Sequence, residues 1–294
     1  MQLVAAFACS HAGLMITRKG LGEPAREQAI YDAFTRLGEE LLAAEPDAVI
    51  IFATDHQANY KLDHVPAFTI GVGPIARGLG DAGVEARDYP VNQQVAQLLL
   101  EGSLAAGVDL AFSEDPGIDH SFVTPLLLAL GERTVPIVPV IQNCNVPPRP
   151  VLRRSHQVGQ IFRSVLADSR ARIAVIGTGG LSHWVGSPQR QEFMRRPAGT
   201  RLSTMHEYPV TLTDTGEINE DFDRKLLTVA GHGGWAEIVS WSPEEIEQSA
   251  GNGAQEIRNW LSAAGLAGDA PLRTLAYEAI PEWLTGTAVA RFEL

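Results

Sequence analysis

Four short apolar segments of this chain each lead into a loop that carries a histidine. They are LVAAFACS before His11, DAVIIFATD before His56, VDLAFSEDPGID before His120 and RIAVIGTGGLS before His183. Apolar, β-branched runs bounded by Gly, Asp and Ser are typical of strands buried on both faces of a sheet. Ligands of open α/β sheets lie outside the carboxyl ends of the strands. The pattern therefore predicts that four of the eight histidines meet at one edge, as a metal or acid–base centre.

The composition indicates one large folded unit that does not bind nucleic acid. The chain has 294 residues, 45% of them hydrophobic, which is enough for a sizeable core. A formal net charge of −12, with no dense run of Lys and Arg, argues against a nucleic-acid-binding surface. Cys9 and Cys144 are too few for a disulfide framework, so we expect buried thiols in a reduced, cytoplasmic protein.

No segment of the sequence predicts membrane insertion. The apolar run that ends at Cys9 lacks a positively charged leader and is shorter than a signal-peptide core, so a first buried strand is the better interpretation. No apolar stretch approaches the roughly 20 residues of a membrane span. We expect a soluble protein whose partners are small molecules or copies of itself, with no membrane partner.

Strand and helix patterns alternate along the first part of the chain. Further strands are predicted over 64–73 and over TVPIVPVI (134–141), whose prolines favour a place near a sheet edge. Helical spacing of apolar residues is present over 27–43, 90–107, 121–130 and 151–168. The alternation up to about residue 180 predicts an α/β fold with a layered, mostly parallel or mixed central sheet flanked by helices.

The character of the sequence changes after residue 180. Residues 188–270 contain polar loops and helical stretches, of which the clearest are EINEDFDRKLLTVA, SPEEIEQSA and GAQEIRNWLSAAG. These stretches predict a C-terminal helical lid, and TAVARFEL (287–294) predicts a last strand. We find no repeat, no low-complexity segment and no convincing linker, so we expect a single domain over 1–294.

His56 and His183 stand in loops suited to a site. A metal-bound imidazole usually needs its second nitrogen held by another group, and Asp55 beside His56 can help to fix the loop. Gly179 and Gly180 before His183 allow a tight turn and a close backbone approach to a ligand. Each histidine alone is more often a surface residue, and the coincidence of several at one edge favours a site.

His120 and Glu256 have equally plausible structural roles on spacing alone. His120 precedes a buried helix, where Asp119 or Ser121 could be the N-cap. Glu256 shares a helix side with Trp260 at i, i+4, which places its carboxylate at the edge of the core face, where a boundary salt bridge is the simplest role. No site role is predicted for the remaining histidines, which are His64, His156, His206 and His232.

Two histidines and one carboxylate with open coordination positions form the facial triad of non-haem Fe(II) centres that activate oxygen. A Zn hydrolase could use the same ligand types. The sequence has no HExxH and no CxxC, so the ligands must come from distant segments. A GxSxG nucleophile motif is also absent, and the first strand ends in ACSHAG rather than in the GxGxxG of a dinucleotide loop.

At these residues the chain resembles the class III extradiol ring-cleavage dioxygenases, the LigB-like family. The matching segments are, in chain order, SHAG, FATDH, IDHSF, TGGLSHW, INEDFDRKLL, GAQEIRNWL and IPEWLTG. The last one resembles the 2,3-dihydroxyphenylpropionate dioxygenase branch in particular. Each segment alone is a weak signal, but the set spans nearly the whole chain in the expected order and is specific.

The resemblance implies an enzyme that inserts both atoms of O2 into a catechol-type aromatic diol and opens the ring next to the diol. It implies His11, His56 and Glu256 as ligands of Fe(II). It also implies His120 and His183 as an acid–base pair, with His183 as the base. The family is usually oligomeric, so we expect a homo-oligomer.

Three details of the sequence bear on this assignment. Glu237 in GGWAEIVSW also looks like a glutamate on a helix face, but the spacing after INEDFDRKLL and the following Trp favour Glu256. Ser121 stands where the family often has Gly, which is expected to reshape the pocket beside His120. Arg18 or Lys19 near His11 could bind a substrate carboxylate, although a solvated loop charge is the commoner role.

Other functions are compatible with the same residues. A Zn-dependent enzyme could use this fold and these ligand types, and metal content with oxygen uptake would distinguish it. A LigB-like binding protein could have kept the fold and lost the chemistry, although the presence of all five candidate residues argues against that. The substrate could also be an aminophenol or a pyridinediol.

Overall fold

An eight-stranded mixed sheet forms the centre of the computed structural model, which describes residues 1–201 and 217–294. The strands are β1 (Gln2–Cys9), β2 (Ala48–Ala53), β3 (Phe68–Gly71), β4 (Ile75–Gly78), β5 (Tyr89–Pro90), β6 (Ala111–Ser113), β7 (Gly117–Ile118), β8 (Ile137–Gln142), β9 (Arg172–Thr178), β10 (Leu272–Ile280) and β11 (Thr285–Phe292). The order in the large sheet is β10-β11-β1-β9-β2-β8-β3-β6, and β5-β4-β7 form a small second sheet.

The four central strands are parallel, as the apolar segments predict. β1 pairs with β9, β9 with β2, and β2 with β8, while β11 and β3 run antiparallel to their inner neighbours. Every residue of β2 and β8 is buried, which is typical of parallel strands that carry helices on both faces. The sheet is therefore mixed, with a parallel core, an antiparallel pairing on each side of it, and a further parallel pairing of β3 with the edge strand β6.

Helices cover this sheet. They are α1 (Leu14–Thr17), α2 (Pro24–Ala43), α3 (Gln93–Ala105), α4 (His120–Leu130), α5 (Leu152–Val165), α6 (Pro188–Arg195), α7 (Glu220–Gly231), α8 (Trp235–Val239), α9 (Pro243–Ala250) and α10 (Ile257–Ala267). Short 3₁₀ turns occupy Gly253–Glu256 and Pro281–Trp283. Of the stretches predicted as a lid, α10 is buried along its whole length and packs on α5 and β9. It belongs to the helix layer, and its buried polar side chains find partners there: Arg258 donates to the carbonyl of Pro150 and Asn259 to that of Thr178.

One glycine explains how closely α5 and α10 approach each other. A Cβ at Gly159 would lie 1.9 Å from the backbone oxygen of Ser262, so any larger residue would push the two helices apart. The contact fixes the position of α10, whose N-terminal end directly follows Glu256.

The prediction that TVPIVPVI lies near a sheet edge is wrong. β8 is an interior strand, paired with β2 on one side and β3 on the other. Its pairing with β3 covers Phe68 to Ile70 and stops before Gly71, the residue that would face Pro139. Gly71 has no side chain to meet the proline ring, because a Cβ there would lie 2.7 Å from Pro139 Cγ. Proline has no backbone N–H to donate to a neighbouring strand. Pro139 is accommodated because the pairing of β8 with β3 ends just before it.

Three smaller features complete the description of the fold. Strand β10, which the sequence patterns did not predict, pairs with β11 along its length. Cys9 and Cys144 are both free and buried, as predicted. Within the described residues, no helix combines the length and the apolar character needed to span a membrane.

Candidate metal centre

Three neighbouring parallel strands end at the same level of the sheet. Cys9 at the end of β1 is paired with Thr178 at the end of β9, and Phe52 of β2 is paired with Gly177 of β9. The segments that follow these strands carry His11, His56 and His183. His120 arrives by a different route, because it begins α4 directly after β7 of the small sheet. The structure brings all four histidines together at one edge.

Glu256 lies between two of these histidines. Its Oε2 atom is 3.1 Å from His11 Nε2, and its Oε1 atom is 3.1 Å from His56 Nε2. The Glu256 side chain is fully buried and ends the 3₁₀ turn that precedes α10, so it lies deeper than the predicted core edge. The backbone N–H of Gly180 donates to Oε2 at 2.8 Å. This hydrogen bond ties the carboxylate to the loop that leads to His183.

The His11 ring is held by a hydroxyl behind it. Its Nδ1 atom lies 3.1 Å from Thr178 Oγ1, and that hydroxyl donates its own proton to the carbonyl of Ser121 at 3.0 Å. Thr178 Oγ1 must therefore accept a hydrogen bond from the Nδ1–H of His11, since its only hydrogen is already donated. The assigned tautomer leaves the Nε2 lone pair of His11 directed at Glu256.

The His56 ring is held by a carboxylate. Asp119 Oδ2 accepts hydrogen bonds from the His56 backbone N–H at 2.7 Å and from His56 Nδ1 at 3.0 Å, and its Oδ1 caps α4 through the N–H of Ser121. Asp55 fixes the loop instead, by accepting from the backbone N–H groups of Asn59 and Tyr60. Such a carboxylate–histidine pair fixes which ring nitrogen faces a metal.

Burial and charge compete in the pKa values of these groups. Burial opposes the ionisation of Asp119, but the positive charges of His56 and His120 outweigh it and lower the pKa of its carboxyl. Burial also raises the pKa of Glu256, but His11 and the other histidines around it hold that pKa well below its usual range. Both carboxylates are therefore ionised at neutral pH.

The donor set fits a divalent cation. One carboxylate and two imidazole nitrogens of His11, His56 and Glu256 lie within 4.8 Å of one another. Lone pairs that face each other at this distance need a positive charge between them, either a proton or a metal ion. A second group, His56, Asp119 and His120, is equally close, but the oxygens of Asp119 already accept three N–H donors. We therefore take the first group as the one that could hold a metal.

His183 lies next to this triad without completing it. Its Nδ1 atom is 2.9 Å from the carbonyl of Leu181, which can only accept, so the proton of the neutral ring is on Nδ1. Its Nε2 atom then carries a lone pair and lies 3.8 Å from Glu256 Oε2. His183 is 6% exposed, so the residue is buried beside the triad.

Two glycines that the sequence analysis did not single out enclose His183. A Cβ at Gly253 would lie 2.2 Å from His183 Nε2, and one at Gly251 would lie 2.0 Å from the His183 carbonyl oxygen. Gly251 also has a φ of +90°, which an L side chain rarely adopts. The only sequence signal was the pair of glycines in GNG (251–253), which lie four and two residues before Gln255.

A buried aspartate supports the same loop from behind. Asp223 on α7 accepts from the backbone N–H and the hydroxyl of Ser182, each at 2.8 Å, and from the hydroxyl of Tyr277 at 3.0 Å. Burial outweighs these hydrogen bonds and raises the pKa of Asp223 to about 6. The sequence analysis missed this residue, because the contact joins positions 41 residues apart.

His120 is held by another aspartate that the sequence analysis missed. Asp81 Oδ2 lies 2.5 Å from His120 Nδ1, and Asp81 Oδ1 accepts from the His120 backbone N–H at 2.8 Å. The ring centroid of His120 is 4.2 Å from that of His56. His120 therefore stands beside the triad with its Nδ1 held by a carboxylate.

Several other candidate residues direct no side chain into the centre. Arg18 donates to the carbonyl of Glu282, and Lys19 lies over the ring of Tyr31. The Ser121 hydroxyl is buried and donates to the carbonyl of Thr54, so it braces β2 and does not line the cavity beside His56. Glu237 is exposed, His156 pairs with Asp269, and His206 lies outside the described residues.

A comparison with known protein families assigns nearly the whole chain to one family. Residues 5–290 match the family described as the catalytic LigB subunit of aromatic ring-opening dioxygenase. The match covers every residue of the centre described above. It also includes all seven segments that carry the sequence resemblance.

Curated relatives match over nearly the full chain. Two proteins named 2,3-dihydroxyphenylpropionate/2,3-dihydroxicinnamic acid 1,2-dioxygenase, from Rhodococcus jostii RHA1 and from a Rhodococcus species, are 29% and 31% identical over 98% of this chain and 97% and 98% of their own. A protein of the same name from Escherichia coli K12 is 28% identical over 94% of both chains. A crystal structure of an uncharacterised Escherichia coli K12 protein has a TM-score of 0.55 at 14% identity, over 98% of this chain and 99% of its own, which shows a shared fold.

Proposed function

The chain belongs to the family of the catalytic LigB subunit of aromatic ring-opening dioxygenases, and we propose from this membership and from the geometry of the centre how it works. It is an extradiol ring-cleavage dioxygenase, a metal-dependent enzyme that opens the ring of a catechol-type diol with O2. We propose Fe(II) as the metal and a specific role for each of five residues of the centre.

We assign His11, His56 and Glu256 as the ligands of Fe(II). The observation that carries this assignment is that the two Nε2 atoms lie 3.1 Å from opposite oxygens of one buried carboxylate, while both Nδ1 atoms are held from behind. Two histidines and one carboxylate with open positions suit non-haem Fe(II) oxygenase chemistry. Bound there, the metal would acidify the diol hydroxyls and offer open positions to both the diol and O2.

His183 takes a proton from the diol. Its Nδ1–H is donated to the carbonyl of Leu181, which leaves Nε2 free to accept. Histidine is the side chain most often used as a general acid or base. The Nε2 atom lies 3.8 Å from Glu256 Oε2, so a diol bound at the triad would lie beside it.

His120 returns a proton in a later step of ring cleavage, after His183 has removed one from the diol. The hydrogen bond between Nδ1 and Asp81 fixes the ring, and Nε2 is then the atom able to exchange a proton with the substrate. Ring cleavage both removes and returns protons, so a pair of histidines in one centre fits this chemistry.

The substrate class follows from the named relatives. Because the curated relatives are named for 2,3-dihydroxyphenylpropionate and 2,3-dihydroxicinnamic acid, we propose a catechol that carries a side chain next to the diol. Two free, buried cysteines support a reducing, cytoplasmic compartment. Self-assembly into a homo-oligomer stays a prediction that gel filtration can test.

Oxygen consumption by protein reconstituted with Fe(II) under anaerobic conditions tests the proposal. We expect uptake of one O2 for each catechol added and a yellow, ring-opened product in the visible spectrum. Protein reconstituted with Zn(II) in the same way is the matched control and should consume no oxygen. Bound iron with no uptake on any diol would move the activity to an aminophenol or a pyridinediol. A failure to bind iron would overturn the ligand assignment.

A further inference from the structure

Two neighbouring parallel strands end beside the metal centre, and an amide side chain follows the end of each. β2 and β8 are paired up to Ala53 and Ile141. Gln57 follows His56 in the segment after β2, and Asn145 lies in the segment after β8. Because parallel neighbours end at the same edge of a sheet, both segments reach the edge that carries the metal ligands. Gln57, Asn145 and His56 line one small cavity there.

The nitrogens of these two amides are left unsatisfied by the fold. Gln57 Nε2 and Asn145 Nδ2 are both buried, and neither has a hydrogen-bond partner among the residues that the structure describes. The orientation of the Gln57 amide is fixed, because its oxygen accepts from Arg190 Nη2 and its nitrogen must face another group. Buried polar groups are normally satisfied, so two orphaned donors in one cavity indicate a place for an acceptor atom.

A third amide in the same cavity shows the contrast with a structural role. Asn252 also lines the cavity, but its Oδ1 accepts from the backbone N–H of Val185 at 2.8 Å and its Nδ2 donates to the carbonyl of Val185 at 2.9 Å. Both ends of this amide are therefore used to join two segments of the chain. Over residues 1–201 and 217–294, the nitrogens of Gln57 and Asn145 find no such partner, so the fold alone does not account for them.

The backbone at Gln57 is held in an unusual conformation. Its φ is +61°, in the left-handed region that non-glycine residues rarely occupy. Gln57 directly follows His56, so this conformation sets where the amide lies relative to the metal ligand. Strain of this kind persists where the surrounding structure imposes it, often at ligand sites.

We propose that Gln57 Nε2 and Asn145 Nδ2 donate hydrogen bonds to an oxygen atom in the side chain of the diol, while the diol itself occupies the metal centre. This inference rests on the proposed function, because it assumes that a diol with a side chain binds beside His56. The cavity has a volume of about 20 Å³, which admits a group of about one water's size, such as a carbonyl or carboxylate oxygen. An amide N–H can only donate, so the two nitrogens favour an oxygen acceptor over a methylene group in that place.

The test compares two catechols that differ only in one group of the side chain at carbon 3. One side chain ends in a methyl ketone, and in the other a methylene group replaces the carbonyl oxygen. Anaerobic calorimetric titration of the iron-loaded protein gives both affinities without turnover, and oxygen uptake gives both values of kcat/KM. The wild type should favour the ketone by about 10-fold in each measurement, because the hydrocarbon leaves two buried donors unsatisfied.

Two variants each remove one donor. Asn145→Leu keeps a side chain of similar size and leaves the hydrogen bond between Gln57 and Arg190 in place. It should lower the preference for the ketone by about 3- to 10-fold, the range that corresponds to one neutral hydrogen bond. Gln57→Met should lower it by a similar factor. In the double variant the two compounds should bind with about equal affinity.

The matched control is Gln189→Met in the first turn of α6. Gln189 is exposed and does not line the cavity, so its loss should leave the preference for the ketone unchanged. Melting temperature and iron content of each variant show whether the fold and the metal centre are intact. If Gln57→Met fails to fold because Arg190 loses its hydrogen bond, Asn145→Leu decides the question alone.

Two results would overturn the inference. In the first, the wild type binds the ketone and the hydrocarbon equally well, so the two amides hold an ordered water and not the side chain. In the second, Asn145→Leu weakens both compounds by the same factor, so the residue acts only through packing. Failure of the proposed function looks different, because then no diol would bind anaerobically or drive oxygen uptake by the wild-type protein, whatever its side chain.

Discussion

The metal centre and the cavity wall beside it are built from different kinds of structure. The centre comes from the ends of β1, β2 and β9 and from the turn before α10, which belong to the sheet and its buried helix layer. The wall comes from α6 and from two loops, which contribute Arg190, Gln57 and Asn145. Loops and short helices tolerate change better than sheet interiors do. We therefore expect the wall to determine which diol is preferred and the centre to determine the reaction.

This difference leads to a clear division of expected effects. Substitutions in the centre should abolish metal binding or turnover for every diol. Substitutions in the wall should change which diol is preferred. A centre substitution that altered only preference, or a wall substitution that removed the metal, would break the distinction.

The largest effect is expected from Glu256→Gln. The amide cannot supply the negative charge that faces both His11 and His56, so iron should be lost on dialysis and turnover of all diols with it. The loss in metal affinity should exceed the about 100-fold typical of residues that only orient a ligand. Iron content per chain, measured by atomic spectroscopy, gives the answer.

The chain offers a matched control for this substitution. Glu237 is an exposed glutamate on α8, and Glu237→Gln should keep full iron content and activity. If Glu256→Gln retained iron while Glu237→Gln lost it, the carboxylate ligand would have been assigned to the wrong helix.

His183→Gln should have the second largest effect. The variant keeps the triad, so iron and anaerobic diol binding should be retained while turnover falls by about 10²- to 10⁴-fold, as for general acid–base groups. His156→Gln is the control, because His156 pairs with Asp269 away from the centre. Loss of iron from the His183 variant would mean that this histidine is a ligand and not a base.

The sequence patterns were sufficient to predict that the histidines meet, because this part of the centre is local, whereas Glu256 was implied only by the family resemblance. Each of His11, His56 and His183 follows an apolar strand within a few residues, and parallel strands bring their ends together. The remaining support is long-range: Asp81 and Asp223 reach their partners across 39 and 41 residues. No periodicity encodes such contacts, so patterns along the chain could not predict them.

The sequence did not predict the residues of the cavity wall or the position of β8 in the sheet, and the reason is similar. Arg18 and Lys19 are near His11 in sequence but turn toward other partners, whereas Arg190 is distant in sequence and lines the cavity. The prolines of β8 suggested an edge, but the end of a short neighbouring ladder accommodates Pro139 inside the sheet. In both cases the position of the residue or strand depends on which element packs beside it, and patterns along the chain do not encode that neighbour.

The smallest effect concerns how the centre is supported, and it appears in stability rather than in turnover. Burial raises the pKa of Asp223 from 3.8 to about 6, so between about pH 4 and pH 6 the folded protein holds a proton that the unfolded chain has released. The contribution of Asp223 to the free energy of unfolding therefore decreases as pH rises through this range, by about 3 kcal/mol in total.

Urea unfolding of wild type and Asp223→Asn from pH 4 to pH 7 isolates that contribution as their difference. The difference should change by this amount, whereas Asp221→Asn, at an exposed position on the same helix, should unfold in parallel with the wild type at every pH. A pH-independent difference for Asp223→Asn would mean that the carboxylate is ionised throughout, and that the loop before His183 is held by charge rather than by a buried acid.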